Sequence, residues 1–174
     1  MALGADLVSV GNEALVVSVY PVISRDAQYQ PLLSAIRFLA DHCKANGQHL
    51  LFETGQETPT TILRFIEDSG RDNLGVNLDP ANLIMYGKAN PVDAVSIIGK
   101  YVRDVHAKDG KYPTTGKELG PETALGEGMV NYPAFVAALK AAGYDGPLTI
   151  EREIEGDEQT RDILSAKKML EALI

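Results

Sequence analysis

His49-Leu-Leu-Phe-Glu-Thr-Gly-Gln-Glu57 is the stretch on which the reading of this chain turns. Leu50, Leu51 and Phe52 form a short apolar run that stops at a carboxylate, Glu53, after which Thr54, Gly55 and Pro59 break the pattern. A continuous apolar run bounded by turn residues predicts a strand buried on both faces. In α/β proteins the chemistry gathers at the C-terminal ends of such strands. Glu53 stands at that position.

Downstream the same layout recurs three times. Leu74-Gly-Val-Asn-Leu78 runs into Asp79, Val102 to Val105 runs into His106, and Pro147-Leu-Thr-Ile150 runs into Glu151. Glu53 to Asp79 is 26 residues and Asp79 to His106 is 27, each close to one βα unit. The last step, 45 residues, contains a Gly-rich loop from Lys108 to about Asn131. Between the strands the spacing predicts helices over residues 31–45, closed by Gly47, and from Thr58 or Thr60 to Asp68, closed by Gly70. Further helices are expected over about 91–99, 132–142 and 159–174. Upstream, Leu7 to Val10 reads as a strand, and Ala14 to Tyr20 as either a second strand or an apolar loop. Strands alternating with helices across short connections mean a parallel sheet. The expected fold is α/β, one domain over residues 1–174, a partial parallel (β/α) barrel of about five βα units.

Composition sets bounds on partners. The chain has 174 residues, 45% apolar and 23% charged, with a net charge of −8. That acidity argues against nucleic acid or an anionic membrane as the main partner, since both select positive surfaces. The most apolar window, Ala14 to Ile23, is too short to span a bilayer and contains Pro21. The N-terminus lacks the basic start and apolar core of a signal peptide, so the expected location is cytoplasmic. Cys43 is the single cysteine, on what reads as the core face of a helix, and leaves no intrachain disulfide. His42 and His49 read as surface or packing residues.

Four predicted strands therefore end in Glu53, Asp79, His106 and Glu151. In a parallel barrel those tips converge on one face. Three carboxylates crowded with an imidazole must take up protons or bind a cation. Hard oxygens with one imidazole suit Mn²⁺, Mg²⁺, Co²⁺ or Zn²⁺. Each residue also has an ordinary reading. Asp79 before Pro80 could start a turn, His106 could bond to backbone, and Glu151-Arg-Glu153-Ile-Glu155 could be a solvated charge run. Arg152 and Glu153 either orient Glu151 or belong to that run. Lys108 either binds a substrate oxygen or is a surface lysine paired with Asp109. Gln56 and Glu57 either touch substrate or open a helix, and Glu127 is either a lid residue or a turn acid.

Phe52-Glu-Thr-Gly-Gln-Glu57, Asn77-Leu-Asp-Pro-Ala-Asn82, Asp104-Val-His-Ala-Lys-Asp109, Leu125-Gly-Glu-Gly128 and Gly143-Tyr-Asp-Gly-Pro-Leu-Thr-Ile-Glu151 together resemble the sugar phosphate isomerase/epimerase family, the xylose-isomerase-like TIM barrels. The likeness runs from about Gly47 to the C-terminus. It implies a divalent metal on Glu53, Asp79, His106 and Glu151. It also implies proton transfer by Glu53 and Glu151; Lys108, Asn82 and Glu57 are the candidate substrate contacts beside them. The activity so implied is isomerisation or epimerisation of a small sugar, sugar phosphate or polyol through an ene-diolate. The rivals are an inosose-type dehydratase on the same site and a metal-binding barrel without turnover. Asn82 stands where several relatives carry histidine, which with the acidity disfavours an endonuclease-like multi-zinc site. Few strands precede Glu53, so the resemblance implies a barrel lacking its first three βα units. Such a chain is either a fragment or pairs with a second copy, as a homodimer, to bury the open sheet edge.

Overall fold

The computed structural model describes the backbone of residues 7–10 and residues 14–17 and 27–174 in full. The strand expectation over 18–20, and the whole of 1–6, 11–13 and 21–26, lie outside the described residues.

Strands β1 (Leu7–Val10), β2 (Ala14–Val17), β3 (His49–Glu53), β4 (Leu74–Leu78), β5 (Val102–Ala107) and β8 (Leu148–Ile150) form one sheet in the order β1-β2-β3-β4-β5-β8. Two short strands, β6 (Asp109–Gly110) and β7 (Glu122–Thr123), pair separately within the long loop. β2, β3, β4, β5 and β8 are mutually parallel and make a half-barrel. β1 departs from the all-parallel expectation: it pairs antiparallel with β2, Leu7 opposite Val17.

Helices α1 (Tyr29–Ala45), α2 (Pro59–Ser69), α3 (Pro80–Met85), α4 (Pro91–Ile98), α5 (Tyr132–Ala141) and α6 (Asp157–Glu171) supply the outer layer. Their starts follow from local chemistry. Thr58, Asp79, Asn90 and Asn131 each accept a first-turn N–H, and each is followed, directly or one residue on, by proline in the first turn. Gly70, at φ 66°, ends α2 in the left-handed region that glycine tolerates. α3 was not expected from the sequence. Its six residues are too few to show a helical period.

Alternation along the strands separates two faces. Leu50, Phe52, Leu74, Val76, Leu78, Val105 and Ala107 enter the hydrophobic core with Leu33 and Ile36 of α1, Phe65 of α2 and Phe135 of α5. Phe65 holds that core at two points, its ring 5.6 Å from Tyr29 and 5.7 Å from Phe52. The other face is the barrel interior. In register across it stand Glu53, Asn77 and Asp104, and His106 beside Thr149. The β4–β5 register slips by one residue after Val76, so that Val102 faces the core while Asp104 and His106 face inward. A β-bulge of this kind re-aims side chains at a site. Gly75 of β4 lies tight against this stretch, where a Cβ would meet the Tyr101 carbonyl oxygen at 2.9 Å.

Candidate metal centre

Each of the four strand-end residues is held differently. Glu53 is the last residue of β3, a strand flanked by β2 and β4, and pairs with Asn77 of β4. Asp79 follows β4 and is completely buried. Thr54 Oγ1 donates to the Asp79 carbonyl oxygen at 2.7 Å and accepts from the Asp79 N–H at 2.8 Å, which pins that backbone from both sides. Asp79 Oδ1 accepts from Asn82 N–H at 2.9 Å and caps α3, whereas Oδ2 is buried with no hydrogen bond. His106 lies within β5, which runs one residue further than the sequence suggests, to Ala107. Glu151 follows β8 at the edge of the sheet.

The four converge. One ligand atom from each of Glu53, Asp79, His106 and Glu151 lies within 4.8 Å of the others. His106 Nδ1 hydrogen-bonds Glu53 Oε1 at 2.9 Å. Glu151 Oε2 is equally close to Nδ1, at 2.9 Å, so two carboxylates approach the same ring nitrogen. Burial alone would lower the His106 pKa, yet Glu151 and Glu53 hold it up at about 10. Burial drives the Asp79 carboxyl up to about 8, against the pull of Lys108 and the Asn82 N–H. Glu151 goes the other way: despite burial, His106 and Lys108 keep its carboxyl below the ordinary value.

This donor set fits a divalent cation. One buried carboxylate oxygen, Asp79 Oδ2, has no hydrogen bond, and buried polar groups are rarely left so. Bonds of about 2.1 Å put opposite ligand atoms about 4.2 Å apart in an octahedral site, near the span observed. Three carboxylates and one imidazole are the hard, mixed oxygen–nitrogen set that suits Mg²⁺, Mn²⁺, Co²⁺ or Zn²⁺.

The remaining expected residues divide. Lys108 is neither at the surface nor paired with Asp109. It is 3% exposed, with Nζ 2.9 Å from Glu153 Oε2 and 3.8 Å from Glu151 Oε1. It follows His106 by two residues, so strand alternation carries it onto the same inner face. Asp109 instead accepts four backbone N–H groups, from Gly110, Gly126, Gly128 and Val130, and ties down the long loop. Asn82 donates its side-chain amide to the Thr54 carbonyl at 3.0 Å and so braces the Thr54–Asp79 contact. Glu57 is buried just before the α2 cap, its Oε1 without a partner, and burial lifts its carboxyl to about 7. Glu127 is an exposed turn residue between the two glycines that Asp109 holds. His42 and His49 are exposed and Cys43 is buried. Sequence reasoning missed Thr54, whose position directly after Glu53 was the available signal. It also missed Glu122 and Asp162, which pair with Arg152 from 30 and 10 residues away and leave no local pattern. A separate cleft lined by Lys100, Arg103, Tyr144 and Asp145 lies at the N-terminal ends of β5 and β8, the opposite end from the cage.

The model of the xylose isomerase-like TIM barrel family matches residues 1–173. The chain belongs to that family. A xylose isomerase domain protein from Planctomyces limnophilus is 39% identical, with a TM-score of 0.85 over 92% of this chain and 57% of its own. A xylose isomerase-like TIM barrel protein from Mycobacterium smegmatis, solved in complex with magnesium, shares the fold at 22% identity and a TM-score of 0.67, over 90% of this chain and 54% of its own. Among curated proteins, the inosose dehydratase of Lacticaseibacillus casei is 23% identical over 168 residues, 84% of this chain and 55% of that protein. The chain thus spans about half the length of the relatives it matches. No helix among the described residues is long and apolar enough to cross a membrane.

Proposed function

We propose that this xylose isomerase-like chain carries a divalent-metal site on Glu53, Asp79, His106 and Glu151, and that the site removes a proton next to a carbonyl in a small sugar or polyol. The supporting observation is the convergence of the four ligand atoms within 4.8 Å, with a glutamate on either hand of His106. A cation held there would supply Lewis-acid stabilisation of the charge that develops on the substrate oxygens. The chain's own groups do the rest. Glu151, ionised because His106 and Lys108 hold its carboxyl below the ordinary value, is the group placed to accept the α-proton. Glu53, which His106 orients through the Oε1 hydrogen bond, is suited to return one. When acceptor and donor act on opposite faces of the carbon, the result is epimerisation; when the proton returns to the neighbouring carbon, it is isomerisation. Lys108, buried beside Glu151, provides a fixed positive charge for a substrate oxygen. Asn82 acts through Thr54 and Asp79, and Glu57 offers a buried carboxyl at the loop after β3.

A second reading is favoured by the curated relative, which is an inosose dehydratase. There the same proton abstraction is followed by loss of the β-hydroxyl as water. Incubation with Mn²⁺ and a panel of ketoses and inososes in deuterated water separates the readings. Deuterium at the α-carbon without loss of water supports isomerase or epimerase action, and a new enone absorbance supports the dehydratase. Tight Mn²⁺ binding with neither signal leaves a metal-binding barrel without turnover. β8 is an edge strand with Thr149 exposed, which supports pairing with a second copy as a homodimer. Light scattering at the monomer mass refutes that pairing.

A further inference from the structure

The four cage residues are not equally well held. Asp79 is fully buried and pinned by Thr54, and Glu53 and His106 sit on strands with neighbours on both sides. Glu151 has neither advantage. It follows a three-residue edge strand whose only partner among the described residues is β5, and its side chain is 28% exposed. The chain after it, residues 151–156, has no regular structure. Yet its carboxylate stands 2.9 Å from His106.

What holds this strand end is the next residue. Arg152 Nε pairs with Asp162 Oδ2 of α6 at 2.7 Å, and Nη1 pairs with Glu122 Oε1 of β7 at 2.9 Å. All three side chains are largely buried, at 11%, 19% and 11% exposure. The backbone is held as well. Gln159 donates to the Arg152 carbonyl at 2.9 Å, and Glu153 N–H donates to Glu122 Oε1 at 3.0 Å. A planar guanidinium bridging two carboxylates from separate elements fixes both position and direction. We infer that Arg152 is a positioning residue: clamped between Glu122 and Asp162, it presents Glu151 to the cage and, through Glu153, holds Lys108 in place. This inference rests on the proposed metal site.

The test is a double-mutant cycle read by Mn²⁺ affinity, from the electron paramagnetic resonance signal of free Mn²⁺. Arg152→Gln should weaken binding about tenfold or more, the range seen when a group that orients a metal ligand is lost. Arg152→Lys, which can reach one carboxylate but not both, should fall between. In a Glu151→Gln background the further change Arg152→Gln should cost almost nothing, because the group it positions is already gone. Losses that multiply across the two sites would show a general structural role and overturn the inference, as would an Arg152→Gln protein that binds like the parent. Should Arg152→Gln fail to give a cooperative thermal transition, Asp162→Asn takes its place in the cycle with the same expectations. If Glu151→Gln itself leaves Mn²⁺ affinity unchanged, the metal-site reading falls and this inference with it.

Discussion

Binding of one Mn²⁺ at pH 7 should release about two protons from the metal-free protein. The number follows from the two raised pKa values in the cage. With pKa values held up at about 10 and about 8, His106 and Asp79 are both largely protonated at pH 7. Both must be deprotonated to act as ligands. Two protons leave as one dication enters, so the formal charge of this buried cluster is unchanged, which is the condition a poorly solvated site favours. As pH rises through about 8 Asp79 ionises, and the count should fall toward one. Calorimetric titration in two buffers of different ionisation enthalpy measures the number directly. Asp79→Asn should lower it to about one at pH 7. The same shifts set the sign of the stability profile. Both groups bind protons more tightly folded than unfolded, from ordinary values of 3.8 and 6.5. Their contribution to metal-free stability is therefore lost as pH rises through about 8 and then about 10. Saturating Mn²⁺ should flatten that decline. Proton release near zero at pH 7, or a metal-free protein that gains stability between pH 7 and 10, would refute the charge-exchange reasoning.

Three further outcomes are expected. Thr54→Val removes both bonds to the Asp79 backbone and leaves a buried N–H and carbonyl unpaired; a loss of about 2 kcal/mol should appear as a melting temperature lower by roughly 4–8 °C, with weakened Mn²⁺ binding. Gly128→Ala would bring a Cβ to 2.0 Å from Asp109 Oδ1, so the four-donor cradle must open, and limited proteolysis should cut between 111 and 129 at least several-fold faster. Glu57, raised to about 7 from 4.5 by burial, favours the fold when protonated and loses that contribution as pH rises through about 7; Glu57→Gln should therefore stabilise the protein by on the order of 2 kcal/mol at pH 8 and little at pH 4, as read by urea denaturation at the two pH values.

The parts of the fold that were legible in the sequence are those where one local rule acts alone. The β3 run ends where the apolar residues end, at Glu53. α2 lies between a threonine cap and a left-handed glycine, both visible as residue types. The spacing of the four strand ends carried the cage, because one βα unit per step returns the chain to the same end of the sheet. Legibility failed where the deciding partner is remote. The ordinary reading of Lys108 sets it beside its sequence neighbour Asp109, whereas its carboxylates, Glu151 and Glu153, both arrive from the segment after β8. Asp109 carries no local sign of its role, because only the closed loop brings four N–H groups to it. The antiparallel β1 was hidden because a strand's residues do not state its direction.

Asp79 shows why the ordinary and the functional readings of a strand-end acid need not compete. The sequence offered a turn-starting aspartate or a metal ligand as alternatives. The structure uses one oxygen, Oδ1, to cap α3, and leaves the other, Oδ2, buried and unpartnered within the cluster. Capping fixes the carboxylate plane, and a fixed plane is what aims the free oxygen. The same economy extends along the sheet. Thr54 ties β3 to the end of β4, and Asn82 on α3 ties back to Thr54, so two cage positions, Glu53 and Asp79, share one hydrogen-bonded frame with the core beneath it. Glu151, at the edge, lies outside that frame and depends on Arg152. Disturbance of the Thr54 frame should therefore reach stability and metal binding together, while disturbance of the Arg152 clamp should reach metal binding far more than stability.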